Sequence, residues 1–337
     1  MTAAHAAWRK YLPKILWLVA LLMVGAILSQ LPFADLRANL AQLSIGQWIF
    51  WLSLNAAIIL VLNARWWLLG RALQLPLSFQ RLLFIRQAGQ CISFITPGPQ
   101  FGGEPLQLLW LWQRGKIPLA DALLVLGVDR FYEFWINFSL LLICVLLLLA
   151  SPATQLAAWS NVALALALVL VAMMVCISWA LQRPAGIFNW LERIARHWQQ
   201  DQRLATIDTQ WQQLSARFKQ LLVQQKSSLL NALLLSLLAW LGLLGELYVL
   251  LYFFSLDVSG TQFSVILVAM RLSFLLPLPG AIGTLEAALL WAFHSLGLPV
   301  GAAVGVLALM RLRDALVLLL GLWCLRRLQV PSRSAAY

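Results

Sequence analysis

Charge is scarce in this chain, and negative charge most of all. Only 12 of 337 residues are Asp or Glu, against 24 Lys and Arg, giving a net charge of +12. Charged residues make up 11% of the sequence, where a soluble domain has about 25%. With 62% hydrophobic residues and a mean hydropathy of +0.84, no water-soluble fold of this length hides its apolar surface. Cysteine is equally sparse. Cys91, Cys144, Cys176 and Cys324 stand singly in or beside apolar segments, with no Cys-x-x-Cys pair. That excludes a disulfide framework or a thiolate zinc site and leaves packing residues. His5, His197 and His294 are too scattered for a metal centre. No Gly-x-x-x-x-Gly-Lys-Ser/Thr loop occurs, which excludes an ATP-driven pump of that type. No cofactor is expected. The basic excess flanks apolar runs rather than forming a separate basic domain, so it points to membrane lipid and not to nucleic acid.

Long apolar runs are what the sequence has instead. It reads as an all-α polytopic membrane protein forming a single integral membrane domain over 1–337. About six full spans are predicted, near 13–31, 46–70, 118–150, 157–181, 228–256 and 299–326, each able to cover the ~30 Å hydrocarbon core. Arg9, Lys10 and Lys14 precede the first run, which reads as an uncleaved span rather than a signal peptide. Two further segments, 82–113 and 262–297, break in the middle at Pro and Gly and are predicted to be re-entrant hairpins of half-helices. Such irregular backbone is tolerated at depth only inside protein or beside a wet cavity.

The two breaks repeat one another. At an offset of 180, Ser93, Phe94, Pro97, Pro99 and Gly103 fall on Ser273, Phe274, Pro277, Pro279 and Gly283. With one or two residues of slippage, Glu104 meets Glu286, Trp110 meets Trp291, Arg130 meets Arg311 and Glu133 meets Asp314. The expected repeats are about 46–150 and 228–326. The Lys/Arg pattern orients them. Arg71, Arg81, Arg86, Arg114 and Lys116 surround the first hairpin, whereas 257–270 has no Lys or Arg. The first hairpin is therefore expected to open to the cytoplasm and the second to the outside, as inverted-topology repeats with both termini cytoplasmic, in the inner (plasma) membrane. Between the repeats, 183–226 carries seven Lys/Arg. Trp190, Ile194 and Trp198, and then Leu214 and Phe218, recur four apart, which predicts two amphipathic cytoplasmic helices.

Carboxylates inside apolar segments cost at least ~2.5 kcal/mol each, so they are expected to face inward with partners. Arg130 with Glu133, and Arg311 with Asp314, lie three apart and share a helix face. Glu104 and Glu286 follow the helix breaks, where a carboxylate either caps free N–H groups or serves a cargo. Arginines suit a phosphate. The candidate substrate pathway is Arg86, Pro97, Pro99, Gly103, Glu104, Asp129, Arg130, Glu133, Arg271, Pro277, Pro279, Gly283, Glu286, Arg311 and Asp314. Structural ion pairs that lock the bundle are the competing reading of the same charges. Trp66, Trp67, Trp110 and Trp112 are expected in the interfacial belt.

These residues resemble a known family. Leu276-Pro277-Leu278-Pro279-Gly280-Ala281-Ile282-Gly283-Thr284-Leu285-Glu286, supported by Pro97-Gly98-Pro99-Gln100-Phe101-Gly102-Gly103-Glu104 and Asp129-Arg130, is similar to the membrane region of lysylphosphatidylglycerol synthases and their stand-alone flippase-like relatives. The likeness spans roughly 15–327. It implies a protein that moves lipid between leaflets, with an anionic phospholipid or lipid-linked precursor as partner. Position 281 is Ala where that motif more often has a second Gly. The sequence ends ten residues after Arg327, so no aminoacyltransferase domain, and no lysyl transfer, is expected. Two alternatives stand beside the flippase: a non-transporting scaffold for a lipid-modifying enzyme partner, and a membrane-embedded head-group enzyme using Glu104 and Glu286. The latter has no nucleophile motif to support it, and a non-enzyme is expected.

Overall fold

The computed structural model of the chain describes residues 41, 43–96, 102–150, 160–182, 205–276 and 278–329. Its elements are α1 (Ile45–Ala72), α2 (Phe79–Ile95), α3 (Glu104–Leu109), α4 (Leu119–Ala150), α5 (Ser160–Gln182), α6 (Ala205–Gln224), α7 (Lys226–Phe253), α8 (Gly260–Ser273), α9 (Thr284–Ser295) and α10 (Val300–Gln329). A π-turn, Trp110–Arg114, continues α3, and a 3-10 turn, Pro279–Ala281, lies between α8 and α9. Among the described residues there is no strand.

Helices α1, α4 and α7 are 28, 32 and 28 residues long with mean hydropathies of 1.9, 2.3 and 2.0. At ~1.5 Å per residue each is longer than the ~30 Å core is thick. Helices α5 and α10 fall on the expected segments 157–181 and 299–326, although α10 carries Arg311, Arg313 and Asp314 in its middle. The expected first span, 13–31, lies outside the described residues. So does the 190–198 part of the amphipathic segment, whereas 205–224 is helix α6.

Sidedness identifies the solvent. Large apolar groups such as Phe50, Leu147, Leu241 and Trp323 are exposed, while Asn63, Arg65, Arg86, Asp129, Ser236, Glu246 and Arg311 are buried. Water would reverse that distribution; hydrocarbon enforces it, because a polar group facing lipid has no partner. Two tryptophans depart from the expected belt. Trp66 and Trp110 are buried, whereas Trp112 is exposed. Trp67 stacks edge-on against Phe79 and lies under the Arg71 guanidinium. A tryptophan near a helix end still turns inward when its helix face is the packed one.

The chain forms two compact units, Met1–Ala57 with Gln80–Gln107 and Leu243–Tyr337, and Ile58–Phe79 with Leu108–Gly242. In the second unit, α4 packs on α5 and on α6. In the first, α8 lies beside α9 and α9 beside α10. Cys91, Leu318 and Leu322 form a buried cluster there, with Phe94, Ile95 and Ile282 packed on it. Both broken segments and α10 thus share one core. The contact is tight: a Cβ on Gly321 would run into Cys91 and the Gln87 carbonyl. Small residues that let backbones approach are the usual means of joining helices without a hydrophobic driving force.

Candidate functional site

Both Pro/Gly segments break their helices where the sequence places the breaks. Helix α2 ends at Ile95 and α3 begins at Glu104; α8 ends at Ser273 and α9 begins at Thr284. Pro97, Pro99 and Pro277 lie outside the described residues. The first break is closed by the Gly103 N–H, which donates to Ser93 Oγ at 2.9 Å. A Cβ at Gly103 would collide with the Gly89 carbonyl, so only glycine fits. At the second break, Thr284 Oγ1 donates to the carbonyls of Ala281 at 3.1 Å and Ser273 at 3.3 Å. Ser93 and its match Ser273 thus each take part in bridging a break, Ser93 through its hydroxyl to Gly103 and Ser273 through its carbonyl to Thr284.

Pro279 opens the second turn, and Gly280 and Ala281 follow with φ of +58° and +50°. Left-handed backbone costs an L-residue roughly 1–2 kcal/mol, which explains why glycine suits position 281. The turn leaves carbonyls without helical partners, and Arg311 takes them. Its Nη1 donates to Gly280 O and its Nη2 to Ala281 O, each at 3.0 Å. Its Nε donates to Glu286 Oε1 at 2.6 Å and its Nη1 also to Asp314 Oδ2 at 3.0 Å. The other Glu286 oxygen accepts the Gly283 N–H at 2.8 Å, capping α9. Gly280 also approaches the first broken segment, since a Cβ there would strike the ring of Phe94.

The network continues. Arg313 Nη2 donates to Asp314 Oδ1 at 3.2 Å and its Nη1 to Glu246 Oε2 at 2.8 Å. Trp51 Nε1 donates to Glu246 Oε1 at 3.2 Å. Charges thus alternate from α7 through α10 to the α9 cap. Arg311 is 1% exposed, Glu246 2% and Asp314 6%. Arg86 is buried on α2, Glu104 starts α3, and Arg271 sits in the last turn of α8.

The second unit holds its own network. Arg65, fully buried, donates from Nε to Asp129 Oδ1 at 2.7 Å and from Nη1 to Ser236 Oγ at 3.2 Å. Its Nη2 lies 3.6 Å from Glu133 Oε2, which also accepts from Arg130 Nη1 at 2.9 Å. The candidate residues are therefore divided: Asp129, Arg130 and Glu133 belong to one unit, and Arg86, Gly103, Glu104, Arg271, Pro279, Gly283, Glu286, Arg311 and Asp314 to the other. The Arg130–Glu133 and Arg311–Asp314 pairs form as the spacing predicts.

Sequence reasoning missed Arg65, Arg313, Trp51 and Ser236, and left Glu246 without a partner. One signal was available. At the offset of 181 that matches Arg130 to Arg311 and Glu133 to Asp314, Arg65 falls on Glu246.

The family model described as lysylphosphatidylglycerol synthase TM region matches residues 15–321. The chain belongs to this family. A UPF0104 membrane protein of Methanothermobacter thermautotrophicus is 21% identical over 254 residues, covering 72% of this chain and 73% of that protein. No solved structure matches. Membership agrees with the inside-out polarity of the helices: this is a membrane protein.

Proposed function

We propose that this member of the family moves a phospholipid or a lipid-linked head group between the leaflets of the inner membrane. The supporting observation is the meeting of two interrupted helices in one unit, Phe94 of the first against Gly280 of the second, with buried charge around both. Interrupted helices paired in this way characterise transport sites near the bilayer midplane. Six spans and two re-entrant hairpins, in inverted-topology repeats with cytoplasmic termini, complete the reading. Transport is facilitated or ion-coupled, and the protein is not an enzyme.

In this reading the charged residues take two roles. Arg311 and Glu286 are positioning residues that hold the second turn. Arg86, Glu104 and Arg271 are the candidates for the head group, the arginines for phosphate and the carboxylate for an amine or cation. A second reading, a non-transporting scaffold for a lipid-modifying partner, is favoured by the near-saturation of Arg311 by protein acceptors.

Reconstitution with fluorescent phosphatidylglycerol tests all of this. Protein-dependent access of outer-added dithionite to inner-leaflet label, with the lipid's mass unchanged, is the expected result. A rate equal to that of protein-free vesicles favours the scaffold, and a changed lipid mass means an enzyme. Single-cysteine labelling checks the topology: Gly115→Cys reacting only from outside, or Gly260→Cys only from inside, refutes the inverted repeat.

A further inference from the structure

The second unit contains an open cavity of about 490 Å³ between α4 and α6, lined also by Leu229 of α7. Ligand pockets commonly run to about 300–1,000 Å³. Its wall is apolar: Leu124, Val128 and Phe131 from α4 face Leu214, Phe218 and Leu222 from α6. The polar atom nearest to an exception is the Tyr132 hydroxyl, and it already donates to Leu229 O at 2.9 Å. A polar ligand would find nothing there to bond.

A glycine holds the space open. Gly127 lines the cavity from the interior of the 32-residue α4. A Cβ built on it meets nothing within 4 Å. Mid-helix glycine is destabilising relative to alanine, and here neither a turn nor a close approach of backbone requires it. What it leaves is room.

The rim is basic. Arg217 and Lys219 flank Phe218 on α6, and Lys226 begins α7 three residues before Leu229. All three are exposed. Arg217 reaches back to Asp121 at the start of α4, with Nε 3.6 Å from Oδ1. Asp208 lies in the first turns of α6, away from this end. Lys226 is also the first residue of an apolar helix long enough to span. The rim therefore belongs to the zone where a span leaves hydrocarbon, the depth of lipid head groups. Basic amphipathic helices at that depth attract anionic lipid.

We propose that this cavity holds an acyl chain of a resident anionic phospholipid, its head group against Arg217, Lys219 and Lys226. The lipid wedges α6 onto α4 and is separate from the broken-helix site of the other unit. Helix α4 carries cavity residues Val128, Phe131 and Tyr132 interleaved with network residues Asp129, Arg130 and Glu133. Occupancy thus bears directly on the helix that holds the Arg65 network.

Native mass spectrometry of the full chain tests the proposal, after equilibration with detergent micelles holding equal phosphatidylglycerol and phosphatidylcholine. The expected result is one retained phosphatidylglycerol in preference to phosphatidylcholine. Gly127→Phe fills the space and is expected to reduce retention about tenfold or more, since each excluded CH₂ is worth ~0.8 kcal/mol. Leu222→Trp fills it from the opposite wall and serves if the first variant does not fold. Reversing the rim (Arg217→Glu, Lys219→Glu, Lys226→Glu) is expected to abolish the preference for the anionic lipid. Wild-type retention in a folded, filled variant overturns the proposal. So does equal retention of both lipids by the wild type, or a protein–protein dimer that disappears when the cavity is filled. Retention is read without transport, so this result and the transport assay fail independently.

Discussion

Glu286→Gln is the most discriminating perturbation of the broken-helix site. The carboxylate has two jobs. One oxygen receives Arg311 Nε at 2.6 Å and the other the Gly283 N–H at 2.8 Å. Glutamine has one acceptor oxygen. Whichever way its amide is turned, its NH₂ points at a donor, so one of the two bonds is lost. Hydrogen bonds to charged groups contribute ~1.5–3 kcal/mol, and an N-terminal cap typically ~1 kcal/mol. Arg311 keeps Asp314 as a counter-charge, so the guanidinium is not left unpaired. The expected loss is about 1–3 kcal/mol of unfolding free energy. It is measured by denaturing-detergent titration of the reconstituted protein, with transport recorded on the same preparation. Asp121→Asn is the control: its partner Arg217 is half exposed at 3.6 Å, and such a pair contributes ~0–1 kcal/mol. If Glu286→Gln unfolds within about 0.5 kcal/mol of wild type, the capping argument is refuted. If it is also transport-dead, the carboxylate serves the cargo.

Three other outcomes are expected. Arg65→Met strands Asp129 in the interior and should cost ~3–5 kcal/mol, whereas Arg65→Met with Asp129→Leu should recover most of it; a double-mutant cycle on unfolding reads the coupling. Gly103→Ala sets a methyl against the Gly89 carbonyl and should lower folded yield, at ~1–3 kcal/mol for overpacking, as measured by monodisperse protein on gel filtration. Gly283→Ala meets open space and should suffer only the left-handed strain of its φ of +85°, ~1–2 kcal/mol, so the two glycines separate in the same assay.

The helix breaks were legible because proline and glycine act on their own backbone. Nothing distant is needed to expect that a helix ends before Pro97 and that another starts at Glu104, or that the same happens between Ser273 and Thr284. Short-range pairs were legible for a like reason: three residues apart on a helix is a fixed geometry, and Arg130–Glu133 and Arg311–Asp314 follow from it. The remainder of each network was hidden because it joins distant helices. Arg65 meets Asp129 64 residues away and Arg313 meets Glu246 67 away. Periodicity says which face a residue is on but not what opposes it. In a chain whose lipid-facing and core-facing side chains are equally apolar, the hydrophobic pattern does not orient a helix either. Hence Trp66 and Trp110 were assigned to the wrong surroundings. The cap at Glu286 was foreseeable as one of two readings; its second bond, to an arginine 25 residues on, was not.

The two networks share a plan that identity matching cannot see. In the first network an arginine on α1, Arg65, meets carboxylates on α4, Asp129 and Glu133. In the second a carboxylate on α7, Glu246, meets an arginine on α10, Arg313, beside Asp314. Arg65 and Glu246 occupy matched positions with opposite sign. An interhelical ion pair requires complementarity and not a given polarity, because the attraction is unchanged when both signs are exchanged. Each network therefore ties the helix of the matched position, α1 or α7, to α4 or α10, although the partners are not themselves matched: at that offset Asp129 falls on Met310 and Arg313 on Tyr132. A search for equal residues finds Arg130 and Arg311, which recur, and passes over the positions at which the tie itself is made. Burial makes the tie demanding: one member without the other leaves a charge in a medium that cannot solvate it.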